Sequence, residues 1–409
     1  MNILLLAYYF PPINSAGSVR PQQMARWLGQ YGHSVSVLTH GYDPGRSDEP
    51  GVIRVPDPAY VRDHRGRRFW NWFWWRGQAE VRNYLGRYAS IFSPWQRQVL
   101  ARADEIGASC HPDLIIATYP PLEDLTIGLE LSRRWRVPLV SDFRDGLLFR
   151  PIEEKRLRAH RCVQTEYTQT EAAAAAASSL LVAVTPTLQE YFRATYPECR
   201  CETVFNGYDP REWLDLPSVT LPPGAVHLVH TGRIALSDSA ADLRPLLAAL
   251  RRAGEGASVP PLRLHLVGEY SKRERAWTRE SLAAGIVTLH PLRDRRTALA
   301  FQRAADLLLL VTRPGLRSGI PLKLFEYLAA GRPILALTDD PEVRRITEAG
   351  GQGWCVSPRD ETGIAALLRT AVTSSHPESG TAPQALAAYS WEQQMGRLER
   401  LLPRPTTLP

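Results

Sequence analysis

The chain opens on a near-continuous apolar run of strand length, residues 2–7, followed by a Pro/Asn/Gly loop and then a helical spacing of apolar positions. A run that is apolar throughout, rather than alternating, predicts a strand buried on both faces. Similar short runs follow at residues 35–39, 114–117, 139–143 and 180–184, and helical stretches such as 122–135 lie between several of them. Strands alternating with helices predict βαβ units and a parallel sheet. From Asn206-Gly-Tyr-Asp-Pro210 to Pro222-Pro-Gly224 the periodicity weakens and prolines and acidic residues accumulate, which predicts a domain boundary. A second series then starts, with strands predicted at 226–230, 262–267, 286–290, 307–311 and 334–337. Ser390 with Gln393 three residues later forms a capping box ahead of Trp391, Met395, Leu398 and Leu402 at helical spacing, so a last amphipathic helix is predicted.

With 409 residues, 44% of them hydrophobic, the chain is long enough for two or three domains, each with its own core. There is no run of about 18 apolar residues, so neither a spanning helix nor a signal peptide is expected. The five cysteines are scattered and lack paired metal spacing, which argues against a disulfide framework or zinc site and for a reducing cytoplasm. The formal charge of +7 comes mostly from arginine, whose planar fork suits phosphate. Nucleic acid, anionic lipid and a diphosphate ligand could all use that surplus. Without a helix-turn-helix signature, an RNP motif or a long basic block, nucleic acid is not expected as a partner.

Four segments could carry chemistry. The loop Pro11-Pro-Ile-Asn-Ser-Ala-Gly17 joins the first strand to the first helix at the carboxyl end of a parallel sheet, where ligands bind. Gly17 would let backbone approach a phosphate, although an ordinary strand-to-helix turn reads the same way. The second domain opens with Val229-His-Thr-Gly232-Arg233, where a guanidinium just past the sheet edge could clamp a diphosphate or simply be solvated. The strand ending at Gly268 is followed by Lys272 and Arg273, which could add positive charge there or start a basic helix facing water. The most informative stretch runs from Arg317 through Ser318, Gly319, Ile320, Lys323 and Glu326 to Gly331 and straight into a buried strand. A carboxylate on the first turns of a helix can accept hydrogen bonds from a ribose diol, while free N–H groups at the helix start hold phosphate.

These residues together resemble a GT-B fold glycosyltransferase of the large retaining family 4, over nearly the whole chain. The matching pieces are Tyr8-Tyr-Phe-Pro-Pro12 with Gly17, Asp113-Leu-Ile-Ile-Ala117, Asp142-Phe-Arg-Asp145, Thr185-Pro186, Asn206-Gly207, Thr231-Gly-Arg233, Val267-Gly268, the run from Lys323 to Pro333, and Ser390-Trp391. The resemblance implies an α/β architecture of two Rossmann-like parallel-sheet domains facing each other across a cleft. Residues 1–208 would form the acceptor domain, with an aromatic and basic segment at 65–98. Residues 209–388 would form the donor domain, and the helix at 389–409 would cross back to the first. By the same resemblance Arg233 and a lysine hold the donor diphosphate. The usual lysine position is Asp238, so Lys272 or Lys323 is expected to substitute. Of the family's two glutamates, Glu326 matches the ribose-contacting one and Ser318 replaces the sugar-contacting one. A histidine that many members carry falls on or near Arg144, so Arg144, Asp142 and Asp145, with Arg233, are the catalytic candidates. Asp142, Arg144 and Asp145 would order the acceptor or pair structurally with one another.

The expected activity is sugar transfer with retention, from a nucleotide-diphosphate donor, UDP-hexose by default, to a glycan or lipid-linked acceptor. Neither a metal ion nor another cofactor is expected. Two alternatives stay open: a GT-B sugar-nucleotide epimerase, and a catalytically degenerate GT-B protein that binds nucleotide or scaffolds an assembly. Finally, residues 65–76 pack Trp70, Trp72, Phe73, Trp74 and Trp75 among arginines. Such a mixture suits peripheral contact with an anionic membrane at its inner face, packing against the first domain, or a subunit contact.

Overall fold

The computed structural model describes residues 1–13, 15–41, 49–59, 68–149, 154–234, 241–253, 260–312, 320–349, 353–373 and 384–404. Backbone contacts divide the chain into two units: Met1–Phe205 together with Gln394–Pro409, and Asn206–Gln393.

The first unit holds strands β1 (Asn2–Leu6), β2 (Ser34–Gly41), β3 (Val52–Pro56), β4 (Leu114–Tyr119), β5 (Leu139–Phe143), β6 (Leu180–Ala183) and β7 (Cys201–Thr203). They form one parallel sheet in the order β3-β2-β1-β4-β5-β6-β7. Central β1 pairs on both sides, Leu5 lying opposite Val37 of β2 and Ile116 of β4. Both its faces are covered, which is why its apolar run is unbroken. The strand order reverses between β1 and β4, so their carboxyl ends flank the position where open α/β sheets take ligands.

The second unit repeats the plan with β8 (Val226–Thr231), β9 (Leu262–Val267), β10 (Val287–His290), β11 (Leu307–Val311), β12 (Ile334–Leu337) and β13 (Gly353–Val356). Its sheet is again parallel, ordered β10-β9-β8-β11-β12-β13, and reverses between β8 and β11. The fold class is therefore the expected one, two parallel-sheet α/β domains. Strands β3, β7 and β13 go beyond the sequence reading. All three lie at sheet edges; β3 and β13 are only partly buried and β7 is three residues long, so none carries the apolar run that marks a central strand.

Helix starts follow their capping residues. Thr185 accepts a hydrogen bond from the Leu188 N–H at 3.1 Å ahead of the helix Pro186–Thr195, with proline at its first position. Ser271 and Glu274 form a reciprocal capping box at the start of the helix Lys272–Ala283. The last helix is Trp391–Leu401, and Gln393 N–H donates to Ser390 Oγ at 3.3 Å. From Gln394 onward the chain belongs to the first unit, where the Gln394 side chain accepts from Phe205 N–H at 2.8 Å. Trp391, Met395, Leu398 and Leu402 are all buried. Among the described residues no helix is long and apolar enough to cross a membrane.

Candidate functional site

In the second unit, four of the residues singled out by sequence meet at the carboxyl edge of β8 and β9. Gly232 follows β8 with φ of +95°, a backbone conformation that side chains rarely tolerate. A Cβ at Gly268, the residue after β9, would lie 2.4 Å from the Gly232 carbonyl oxygen, so both positions require glycine for the strand ends to approach. Arg233 pairs with Glu269, each about half exposed. Lys323 comes from the second residue of the helix Leu322–Ala330; its Cε would be 2.8 Å from a Cβ on Gly232, and its ammonium donates to the Arg233 carbonyl at 3.3 Å. Burial pushes the Lys323 pKa below the usual lysine value, while Glu326 nearby opposes the shift.

Glu326 lies one turn further along the same helix. Its carboxylate accepts from Arg295 Nη1 at 2.8 Å and from Gln302 Nε2 at 3.2 Å. Arg295 is shared, since Nε and Nη2 also grip Glu212, each at 2.6 Å. Gln302 reaches Thr231 Oγ1 at 2.8 Å, which ties the carboxylate back to the end of β8. Ile320 is buried just ahead of this helix. Lys272 is exposed at the first position of its own helix, away from any described contact with these groups. Ser318, Gly319 and Asp238 lie outside the described residues.

Sequence reasoning missed Arg295, Gln302 and His230. His230 is buried in β8; its Nδ1 bonds the Leu309 carbonyl at 2.9 Å, and burial drops its pKa to about 3. A histidine inside an apolar strand one residue before Thr231-Gly232 was the available signal. Arg295 and Gln302 carried none, because only the fold brings their helix, Arg295–Ala304, beside Glu326.

In the first unit the candidate residues gather at the β1/β4 reversal. Arg144 is buried beyond β5 and spends its guanidinium on backbone: Nε donates to the Tyr119 carbonyl at 3.2 Å, Nη1 to Gly17 and Nη2 to Pro120. Its burial lowers its pKa. Asp142 is fully buried and pairs not with Arg144 but with Arg20, at 2.7 to 3.1 Å, and accepts from Thr118 Oγ1 at 2.9 Å. Asp145 is partly exposed, and burial, opposed by Arg144, raises its pKa to about 6.

Unforeseen neighbours complete this cluster. Tyr8 donates its hydroxyl to Asp57 at 2.5 Å and stacks on His40 at 4.2 Å. Burial raises the Asp57 pKa to about 6. Asp124 is wholly buried; Oδ2 accepts from Tyr8 N–H at 3.0 Å while Oδ1 has no hydrogen-bond partner among the described residues, and burial holds its pKa well above the carboxylate range. The arrangement thus offers one partly exposed acid, Asp145, backed by buried groups that fix the loops after β1 and β4. Among the described residues no three or more His, Cys, Asp or Glu side chains are grouped to hold a metal ion.

The aromatic segment forms the helix Arg68–Tyr84. Trp72 and Trp75 are partly buried, Phe73 and Trp74 are 48% and 58% exposed, and Arg76 lies over the Trp72 ring at 5.0 Å. Trp70 is within the helix, its side chain outside the described residues.

The family model described as "Glycosyl transferase 4-like domain" matches residues 16–207, and that described as "Glycosyl transferases group 1" matches residues 225–374. A probable glycosyltransferase, WbjE of Pseudomonas aeruginosa, is 30% identical over 123 residues, covering 30% of this chain and 28% of that protein's length. Among solved structures, sucrose-phosphate synthase of Thermosynechococcus elongatus superposes with a TM-score of 0.72 at 16% identity, over 98% of this chain and 97% of that one. An α,α-trehalose-phosphate synthase (UDP-forming) of Burkholderia xenovorans, in complex with glucose-6-phosphate, gives 0.64 at 14% identity, over 97% and 99%. Anabaena HepE, in complex with UDP and glucose, gives 0.61 at 16%, over 98% and 99%. At such identities the likeness carries the fold, which is GT-B, and nothing finer.

Proposed function

We infer the activity of a chain that carries a glycosyl transferase 4-like domain followed by a glycosyl transferases group 1 domain, and so belongs by family among the glycosyltransferases: it moves a sugar from a nucleotide-diphosphate donor, UDP-hexose in the first instance, to a glycan or lipid-linked acceptor. The observation that carries this reading is the convergence of Gly232, Gly268, Arg233 and Lys323 at one strand edge, with Glu326 one turn away. The glycines let a diphosphate approach backbone closely, and Arg233, Lys323 and the free N–H groups at the start of the helix Leu322–Ala330 supply positive charge. In the ligand-bound state Arg233 exchanges Glu269 for phosphate oxygen, and Glu326 exchanges a donor side chain for the ribose hydroxyls.

The first unit receives the acceptor. Asp145, held near neutrality by burial, accepts a hydrogen bond from the attacking hydroxyl, and Arg144 fixes the Gly17 and Pro120 backbone around it. Transfer proceeds with retention: the hydroxyl attacks from the face the diphosphate leaves, and charge stabilisation of the leaving group by Arg233 and Lys323 does most of the work. That positive charge serves the diphosphate without a divalent ion, so transfer persists in EDTA. The five free cysteines suit a reducing, cytoplasmic setting.

A thermal-shift panel of nucleotide-sugars on the full chain tests the donor, since a ligand at 100 times its Kd adds about 2.7 kcal/mol to the folded state. Acceptor-dependent UDP release then separates transfer from epimerisation, which releases none. Arg233→Ala and Glu326→Ala should each lose the shift and at least tenfold in kcat/KM. Unchanged binding and turnover in both variants refute the site; a thermal shift with no release under any acceptor favours a binding or scaffold protein instead.

A further inference from the structure

The helix Arg68–Tyr84 turns two unlike faces to its surroundings. One face carries Trp72, Trp75, Ala79 and Asn83, all at least partly buried in the first unit, with the Asn83 amide bonded both ways to the Ala89 backbone at 2.8 and 3.0 Å. Opposite it, Phe73, Trp74, Val81 and Tyr84 with the following Leu85 stand 48%, 58%, 59%, 85% and 67% exposed. At 100° per residue these five fall within about one third of the helix circumference. They make up five of the nine large hydrophobic side chains exposed among the described residues, so the apolar surface is concentrated here rather than scattered.

Charge borders that stripe on both sides. Exposed Arg76 lies along one edge and exposed Arg82 along the other, with exposed Arg87 just beyond the helix end. The single acid of the helix, Glu80, is taken up by His160 at 3.1 Å and by Arg156 at 3.9 Å, so its charge is balanced from within the unit. An apolar stripe that includes Trp74 and Tyr84, flanked by arginines and with its one neighbouring acid already paired, complements the boundary between acyl chains and anionic headgroups. The rings sit at headgroup depth there, and the guanidinium groups meet lipid phosphate.

We propose that this helix is the chain's membrane-docking surface, lying flat in the interface of an anionic bilayer with Phe73, Trp74, Val81, Tyr84 and Leu85 immersed and Arg76, Arg82 and Arg87 at the phosphates. The assignment stands apart from the donor site and keeps its meaning whatever the chain transfers. Co-sedimentation of the full chain with vesicles tests it, comparing phosphatidylcholine alone with a mixture containing phosphatidylglycerol. Binding should be confined to the anionic vesicles and fall with salt. The double variant R76Q/R82Q should bind about 25-fold more weakly, at roughly fivefold per arginine. Trp74→Ser with Tyr84→Ser should abolish binding while leaving any nucleotide binding unchanged and lowering the melting temperature only slightly, since Trp74's edge contact with Trp75 at 4.8 Å is lost but both side chains are mostly exposed. Equal binding to neutral and anionic vesicles, or unaltered binding by either double variant, overturns the proposal. So does a concentration-dependent dimer in sedimentation velocity that the W74S/Y84S pair dissolves, since a second copy would then cover the stripe.

Discussion

At the level of single residues, burial and pairing separate side chains that look alike in the sequence. Asp142 and Asp145 are three positions apart, yet one is sealed against Arg20 and Thr118 while the other keeps access to solvent. Removing one partner of a buried ion pair leaves an uncompensated charge, so Arg20→Ala should cost about 3–5 kcal/mol of stability, seen as a lower melting temperature and urea midpoint. A loss below 1 kcal/mol would mean that water already reaches Asp142. Gly232 makes a different kind of demand. Alanine there must adopt a left-handed backbone, at about 1–2 kcal/mol, and its methyl displaces the Lys323 stem. Gly232→Ala should therefore weaken nucleotide-diphosphate binding more than it lowers stability, which paired calorimetric and melting measurements resolve.

Across elements, the second sheet contains a histidine ladder. His227, His265 and His290 lie on β8, β9 and β10, joined Nδ1 to Nε2 at 2.9 and 3.0 Å, and His227 Nε2 donates to the Pro222 carbonyl at 2.6 Å. With that carbonyl fixing the first tautomer, Nδ1 of His227 accepts from His265 Nε2–H and Nδ1 of His265 accepts from His290 Nε2–H, so the ladder runs in one direction. Burial lowers the His265 pKa to about 4, with His227 and His290 adding to the effect. A histidine whose folded pKa lies below its unfolded value near 6.5 takes up protons more readily when unfolded, so its contribution is present above pH 6.5 and fades as pH falls toward the folded value. In the first unit, Asp57 and Asp145 at about 6 act in the opposite sense. Their protonated forms suit the fold, so their effect is favourable below about pH 4 and lost as pH rises through 6. Hydrogen exchange at pH 7 and pH 5 should thus show amides of β8–β10 losing protection on acidification while those around β1 and β5 do not. Uniform loss across both sheets would disprove the contrast.

Over the whole molecule, the chain leaves its first unit after Phe205 and rejoins it from Gln394, so the first fold is finished only by the last residues. Met395, Leu398 and Leu402 are buried, and Glu399 sits 3.6 Å from His33. Leu398→Ala should cost about 2–5 kcal/mol, and deletion of residues 394–409 considerably more, read as a fall in the temperature at which β1-side amides exchange. If the deletion left the melting curve unchanged, the closing helix would be dispensable for that unit.

Sequence by itself determined the two series of buried strands, because a strand covered on both faces is predominantly apolar; the runs at β1, β4, β5, β8, β9, β11 and β12 could be read directly. Gly232, Gly268, Arg233, Lys323 and Glu326 were equally legible, since each follows or precedes a strand or helix end at a fixed offset in the chain. The edge strands β3, β7 and β13 were not, β3 and β13 being only partly buried and β7 only three residues long. Nor were the partners: Arg295 and Gln302 beside Glu326, Arg20 beside Asp142, and Asp124 and Asp57 on either side of Tyr8 are joined across separations of 24 to 122 residues. Local pattern fixes which element a residue belongs to, because burial periodicity is a short-range property. Only the tertiary structure decides which distant side chain lies within hydrogen-bond reach, and so which charges are held and which are left for a ligand.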